Sequence, residues 1–92
     1  MRFEWDAEKA AANLRRHGVS FEEATTAFGD PLARTYEDPD HSESEARELT
    51  FGFSSAGRAL LVAHCERGER VRIISARPMT RRERRQHEEG NG

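Results

Sequence analysis

The chain has 92 residues, 35% of them charged, and a formal net charge of −2. That length provides one domain with one modest core, and the mild net acidity excludes a uniformly basic coat for nucleic acid. A single cysteine, Cys65, allows no internal disulfide, and no apolar run reaches membrane-spanning length. With no apolar stretch in the opening MRFEWDAEK, the chain reads as a soluble, cytoplasmic protein.

Phe3 and Trp5 fall on one face of a short predicted strand, Arg2 to Trp5. Asp6 is placed to cap a helix whose Ala7, Ala10, Ala11 and Leu14 recur on one side. Arg15, Arg16 and His17 suit the negative end of that helix, and Gly18 closes it. Ser20 and Glu23 form a capping box for a second helix, with Val19 and Ala24 as a hydrophobic staple. Phe21, Ala24 and Phe28 are its buried stripe, and Gly29-Asp30-Pro31 ends it.

A short strand near Ala33 to Tyr36 leads into Asp38 to Ser44, a loop too hydrophilic to pack. Three strands then follow closely. Arg47, Leu49, Phe51 and Phe53 share one face of the first; Ala59 to Glu66 runs back; Val71 to Arg77 returns. The tight connections, Ser54 to Gly57 and Arg67-Gly68-Glu69, specify an antiparallel meander. Pro78 stops the sheet, and Thr80 with Glu83 caps a last helix running to about Glu89. The expected fold is α+β: a small antiparallel sheet with helices packed on one face, in the order β-α-α-β-β-β-β-α. It forms a single domain over residues 1–89, with 90–92 a disordered tail.

Charge is unevenly placed. Between Arg70 and Arg85 seven arginines oppose the single Glu83, a net of +6, whereas between Glu22 and Glu48 nine acids oppose two arginines, a net of −7. Arginine presents a planar fork of donors that fits phosphate oxygens and stays protonated at any working pH. The basic segment is therefore a candidate phosphate-facing surface for a nucleic-acid backbone, the alternative being that the two segments neutralise each other across the fold. Strict alternation puts Arg72, Ile74 and Ala76 on one face of their strand and Val71, Ile73, Ser75 and Arg77 on the other.

Several fragments together resemble a known family: FEWDAEKAAANLRRHGVSFEEA, the Asp30-Pro31 step, Glu45-x-Arg47, and RIISARPMTRRERRQHEE. In this order and spacing, from Phe3 to about Glu88, they resemble the BrnT toxins of type II toxin–antitoxin systems, which are similar in fold to the RelE ribonucleases. The resemblance implies a small endoribonuclease that halts translation. Its implied partner is a BrnA-like antitoxin, in a 2:2 complex, whose ribbon-helix-helix portion binds promoter DNA; the toxin touches that DNA only through the antitoxin. One position departs, because the family's C-terminal helix usually carries Tyr where this chain has His87.

Metal-independent RNA cleavage needs a base for the attacking 2′-OH, cations for the phosphorane oxygens and an acid for the 5′-oxygen. The candidate catalytic residues are Arg72, Arg77, Glu83, His87 and His64; the candidate RNA contacts are Lys9, His17, Arg47, Arg81 and Arg84. Each has a structural alternative. Arg72 and Arg77 are phosphate ligands or ion-pair partners of Glu45 or Glu48, and Arg47 is a phosphate ligand or one half of a buried bridge. His64, in phase with Leu60 and Val62, is a core histidine or an acid–base group. His17 is a helix cap or a substrate contact, and Lys9 a phosphate contact or a solvated lysine. Glu83 already has a capping role, and His87, one turn after it, is its acid–base partner or is merely solvated. No cofactor is implied, and neither the histidines, His41 included, nor Cys65 show zinc-ligand spacing. A second reading, from another class, is a catalytically weak or inactive module that acts by docking its antitoxin and DNA-binding partner.

Overall fold

A computed structural model describes residues 1–38, 40 and 46–90. Its elements are β1 (Arg2–Glu4), α1 (Ala7–His17), α2 (Phe21–Thr26) continued by a 3-10 turn (Ala27–Gly29), β2 (Arg34–Glu37), β3 (Arg47–Phe53), β4 (Ala59–Arg67), β5 (Arg70–Pro78) and α3 (Arg81–Gly90). The order matches the expected β-α-α-β-β-β-β-α. The acidic loop expected over Asp38 to Ser44 and the tail residues 91 and 92 lie largely outside the described residues, and α3 extends one residue into the expected tail.

The helix ends form as their residues dictate. Asp6 accepts from the backbone N–H of Glu8 and Lys9, and Gly18 takes the left-handed conformation (φ 69°), its N–H donating to the Leu14 carbonyl. Of the two capping boxes, only the second is complete. Thr80 Oγ1 accepts from the Glu83 N–H at 3.1 Å while Glu83 Oε1 accepts from the Thr80 N–H at 2.8 Å. In the first, Ser20 accepts from the Glu23 N–H at 3.0 Å, but the Glu23 carboxylate turns away. It takes Nε of Arg58 at 2.9 Å and the Ser54 hydroxyl at 2.7 Å, and Arg58 also donates to the Gly18 carbonyl. An expected local cap is here a long-range clamp from α2 to the β3–β4 turn.

The sheet has the order β1-β5-β4-β3-β2. Strands β3 to β5 are the expected antiparallel meander, with β2 antiparallel to β3; β1 adds to β5 in parallel through Arg2–Arg70, Phe3–Val71 and Glu4–Arg72, which makes the sheet mixed. One face packs on α1, α2 and the 3-10 turn. Val19, Phe21, Ala24 and Ala27 from the helical layer meet Leu60, Val62, Val71, Ile73 and Ala76 from the sheet, with Phe3, Trp5, Ala10 and Phe28 around the margin. Gly52 lets the layers approach closely: a Cβ there would lie 2.8 Å from the Ala27 carbonyl oxygen. The third helix departs from the expectation of one helical face. Its His87 meets Phe51 and Phe53, and its Glu83 binds Arg77, all on the opposite side of the sheet from the core cluster.

A one-residue bulge corrects the expected alternation of β5. Ala63 pairs with Ser75 but the next residue, His64, pairs with Ile73, so Ile74 has no partner across the ladder. Val71, Ile73 and Ala76 therefore all enter the core, while Arg72, paired with Cys65, and Arg77, paired with Leu61, share the α3 side. Beyond Arg72, where β1 has ended, Asn13 of α1 replaces the missing strand. Its amide donates to the Ala76 carbonyl at 2.8 Å and the Val19 carbonyl at 2.9 Å, and its oxygen accepts from the Ala76 N–H at 3.1 Å. This buried amide satisfies backbone groups that have no neighbouring strand.

Candidate nucleic-acid interface

Registers across the sheet gather arginines on the α3 side. Arg47 of β3 pairs with Cys65 of β4, which pairs with Arg72 of β5, which in turn pairs with Glu4 of β1. Farther along, Arg34, Phe51, Leu61 and Arg77 form a second row. Arg34, Arg47, Arg72 and Arg77 are each half-buried, and the heads of Arg34, Arg72 and Arg77 have polar partners.

Those partners differ from the expected ones. Arg72 Nη1 donates to Glu4 Oε2 at 3.0 Å, and Arg70 reaches the same carboxylate at 3.5 Å, so Glu4 is held below the usual carboxylate range, mainly by the Arg72 hydrogen bond. Arg77 grips Glu83 with both ends of its fork, at 2.8 and 2.9 Å. This bidentate bond is the main reason the Glu83 carboxyl is pulled down to about 2, with the Thr80 N–H adding to it. Glu48, expected as a partner of Arg72 or Arg77, instead lies 4.0 Å from His64; Glu45 lies outside the described residues. Glu83 is thus an anion at any working pH that holds Arg77 and caps α3, and it is too weak a base to take a hydroxyl proton.

His64 does not join this group. Its strand position faces the helical core, where it is buried against the Phe28 ring at 4.9 Å, and Nε2 is 2.7 Å from the Thr50 hydroxyl. Thr50 continues to Thr35 at 2.7 Å. Desolvation lowers the His64 pKa to about 4, which keeps the ring neutral near pH 7. Of its two sequence readings, the core histidine is the one that the structure carries.

His87 is on the arginine side. It is buried, nearly parallel to the Phe51 ring (22°, centroids 6.4 Å apart) and 6.2 Å from the Phe53 ring, so it is packed rather than solvated. Its expected partner Glu83 is engaged by Arg77 and Thr80, although both residues line one pocket. Arg84 lies over Phe53, 5.2 Å from its centroid, and pairs with Glu88 at 3.5 Å; Arg81 is exposed in the first turn of α3. Lys9 is exposed on α1, where its backbone N–H donates to the Asp6 carboxylate that caps the helix. His17, half-buried at the C-terminus of α1, is on the helix layer across the sheet from these arginines.

Sequence reading missed the pocket of about 180 Å3 beside Arg77, lined by Arg34, Tyr36, Phe51, Glu83, Gln86 and His87. Tyr36 is half exposed and meets Phe51 edge to face, centroids 5.9 Å apart; Arg34 donates to the Gly90 carbonyl at the end of α3. The alternation Arg34, Tyr36 in an edge strand was the available signal, since it puts a cation and an aromatic ring on one face. Glu4 was missed as well, being local to neither arginine until β1 is laid beside β5. Among the described residues no group of three or more His, Cys, Asp or Glu is placed to hold a metal ion, and no helix is long and apolar enough to cross a membrane.

Comparison with known proteins now bears on these features. No curated protein matches the chain. Among solved structures it is similar to the crystal structure of the Brucella abortus ribonuclease toxin BrnT, with a TM-score of 0.70 at 20% identity, covering 88% of this chain and 99% of that one. At that identity the likeness establishes the shared α+β fold. A family model described as "Ribonuclease toxin, BrnT, of type II toxin-antitoxin system" matches residues 5–83, a span that takes in the first two helices, all but the first strand, and Arg72, Arg77 and Glu83. The chain belongs to the BrnT family of type II ribonuclease toxins.

Proposed function

We propose that this chain is a metal-independent endoribonuclease that stops translation by cutting RNA on the α3 side of its sheet. The observation that carries this reading is the β5 bulge, which brings Arg72 and Arg77 to the one face that the helical layer leaves uncovered. Arg72 and Arg77 hold successive phosphates and take up charge on the phosphorane oxygens, with Arg47 beside Arg72 and with Arg81, Arg84 and Lys9 at the rim. Glu4 and Glu83 are positioning residues: they hold the guanidinium forks in place before substrate arrives. With His64 in the core and Glu83 held near 2, proton transfer at the 5′-oxygen falls to His87, which takes the place of the family's usual tyrosine.

Inducing the protein alone is expected to arrest growth and fragment cellular RNA, and purified protein is expected to cut RNA in the presence of a chelator. His87→Tyr should retain activity, while His87→Ala lowers the rate. If wild-type protein neither arrests cells nor cuts RNA at any ratio to its antitoxin, the reading fails.

A BrnA-like antitoxin, in a 2:2 complex, would cover the same arginines while the cell grows, with charges steering association and buried apolar anchors supplying affinity. Promoter DNA would be bound through that antitoxin. Crosslinks confined to the acidic half between Glu22 and Glu48 would rule this geometry out.

One set of observations favours a second reading, a phosphate-binding module with little or no turnover. Two of the three candidate acid–base groups, His64 and Glu83, are committed to structure, and His87 is packed between aromatic rings. Salt-dependent RNA binding without product would select this reading; turnover with enzyme far below substrate would exclude it.

A further inference from the structure

The pocket between β2, β3 and α3 combines features that the phosphate-binding arginines do not explain. Its floor and walls are rings: Tyr36 stands on Phe51 at 76°, and His87 backs Phe51 at 22°. The aromatic strip continues to Phe53, with the Arg84 guanidinium over its face. Its rim is polar and directional, with the Gln86 amide as both donor and acceptor, the Arg34 fork, and a Glu83 carboxylate turned toward Arg77. Tyr36 is half exposed on an edge strand, so its ring is open to a partner from solvent.

We propose that this pocket receives one unpaired nucleobase of the RNA, stacked against Tyr36 and contacted on its edge by Gln86 and Arg34. The proposal rests on the reading of this face as an RNA-binding surface and adds the base-recognition element to it. Charge and shape both favour this occupant. Arg77 and the pocket share Glu83, so a nucleotide whose phosphate lies on Arg77 has its base within one side chain of the rings. Aromatic faces accept any base, whereas an amide and a guanidinium on the rim discriminate among base edges. The two roles are therefore separable: Tyr36 supplies affinity for all sequences, and Gln86 supplies preference among them.

The test is binding of a short single-stranded 2′-O-methyl oligoribonucleotide, which lacks the attacking hydroxyl, followed by fluorescence anisotropy across a range of salt. Tyr36→Ala is expected to weaken binding roughly tenfold with an unchanged slope against log salt, because stacking is lost and phosphate contacts are kept. Tyr36→Trp should retain binding. Moving a single abasic position along the oligonucleotide should reproduce the loss at one position with the wild-type protein, and that same position should be silent with Tyr36→Ala. The abasic series needs no variant, so it decides the matter even if Tyr36→Ala fails to fold.

Equal binding by wild type and Tyr36→Ala, together with no position-dependent abasic effect, would overturn the base pocket while leaving phosphate binding intact. Loss of antitoxin affinity in Tyr36→Ala with RNA binding unchanged would also overturn it and assign the pocket to the antitoxin. Absence of any salt-dependent RNA binding by the wild-type protein would instead remove the underlying RNA-binding reading.

Discussion

The two faces of the sheet handle polar groups in opposite ways. On the helix-covered face the buried polar side chains are drawn into structure: Asn13 completes the edge of β5, and His64 is tied through Nε2 to Thr50 and Thr35. On the α3 face Arg72 and Arg77 are paired with acids but stay within reach of water. Arg77 is about one-third exposed and Glu83 about one-quarter, and Arg72 and Glu4 are similar. The first face uses hydrogen bonds to specify one packing, because a buried polar group without a partner is costly. The second uses ion pairs to hold cations in fixed positions, where an incoming phosphate finds the fork already oriented.

Substitutions that respect this division should separate folding from activity. Arg72→Ala and Arg77→Ala are expected to lower RNA cleavage by about a hundredfold or more each, the scale for removing a donor to developing charge. Their thermal midpoints should stay near wild type, since partly exposed ion pairs add little stability. Cleavage assays beside calorimetry check this, and a collapse of the midpoint would place the arginines on the structural side of the comparison.

The converse variant is Asn13→Leu, which removes three buried hydrogen bonds and strands the Ala76 N–H and carbonyl. A loss of about 2–4 kcal/mol in urea unfolding is expected, with cleavage per folded molecule retained. Gly52→Ala comes next. Its methyl would crowd the Ala27 carbonyl oxygen, 2.8 Å from the Cβ position, and moving that turn should cost about 1–3 kcal/mol.

The smallest effect is in the pH dependence of stability, where the two faces titrate differently. The His64 pKa is lowered on folding to about 4 from an ordinary 6.5, so the unfolded chain binds the proton more readily. Its contribution to stability is complete above about 6.5 and declines as pH falls toward about 4. Glu83 is lowered to about 2 from 4.5, so its contribution is complete above about 4.5 and is lost as pH falls toward about 2. Chemical denaturation across pH should therefore show His64→Gln flattening the upper window and Glu83→Gln the lower. Effects in the reverse windows would contradict the placement of the two residues.

Much of this organisation was legible before any coordinates. Asp6, Ser20, Thr80, Gly18 and Pro78 act locally, through backbone groups a few residues away, and local chemistry can be read along a chain. The meander was readable for the same reason, because tight turns permit little else. What escaped reading depends on distant neighbours. Glu23 has the spacing of a capping box, yet a guanidinium 35 residues away offers its carboxylate a better partner than the Ser20 N–H. Asn13 looks like a polar interruption of an alanine-rich helix until the missing strand beside Ala76 is seen. The pocket joins β2 to α3, elements about 50 residues apart, and its rings carry no motif. Val71, Ile73 and Ala76 did carry a signal: their apolar spacing of two and then three residues marks the bulge, but strict alternation conceals it.

That extra residue in β5 acts as a change of parity. Positions five apart on a regular strand lie on opposite faces, and inserting one residue brings them back together. The co-facing of Arg72 and Arg77 is thus maintained by neither arginine, but by the core residues on either side of Ile74, which must all point inward. Straightening the strand at constant length would leave every chemical group of the surface in the chain and still dismantle it: with Ala76 kept inward Arg72 would turn into the core, and with Val71 and Ile73 kept inward Arg77 would. Deleting Ile74, by contrast, would give a regular strand with both arginines still on the α3 side. The register of β5 against β4 is consequently as much a functional property as residue identity, and loss of the bulge at constant length is more damaging to the surface than a conservative exchange of either arginine.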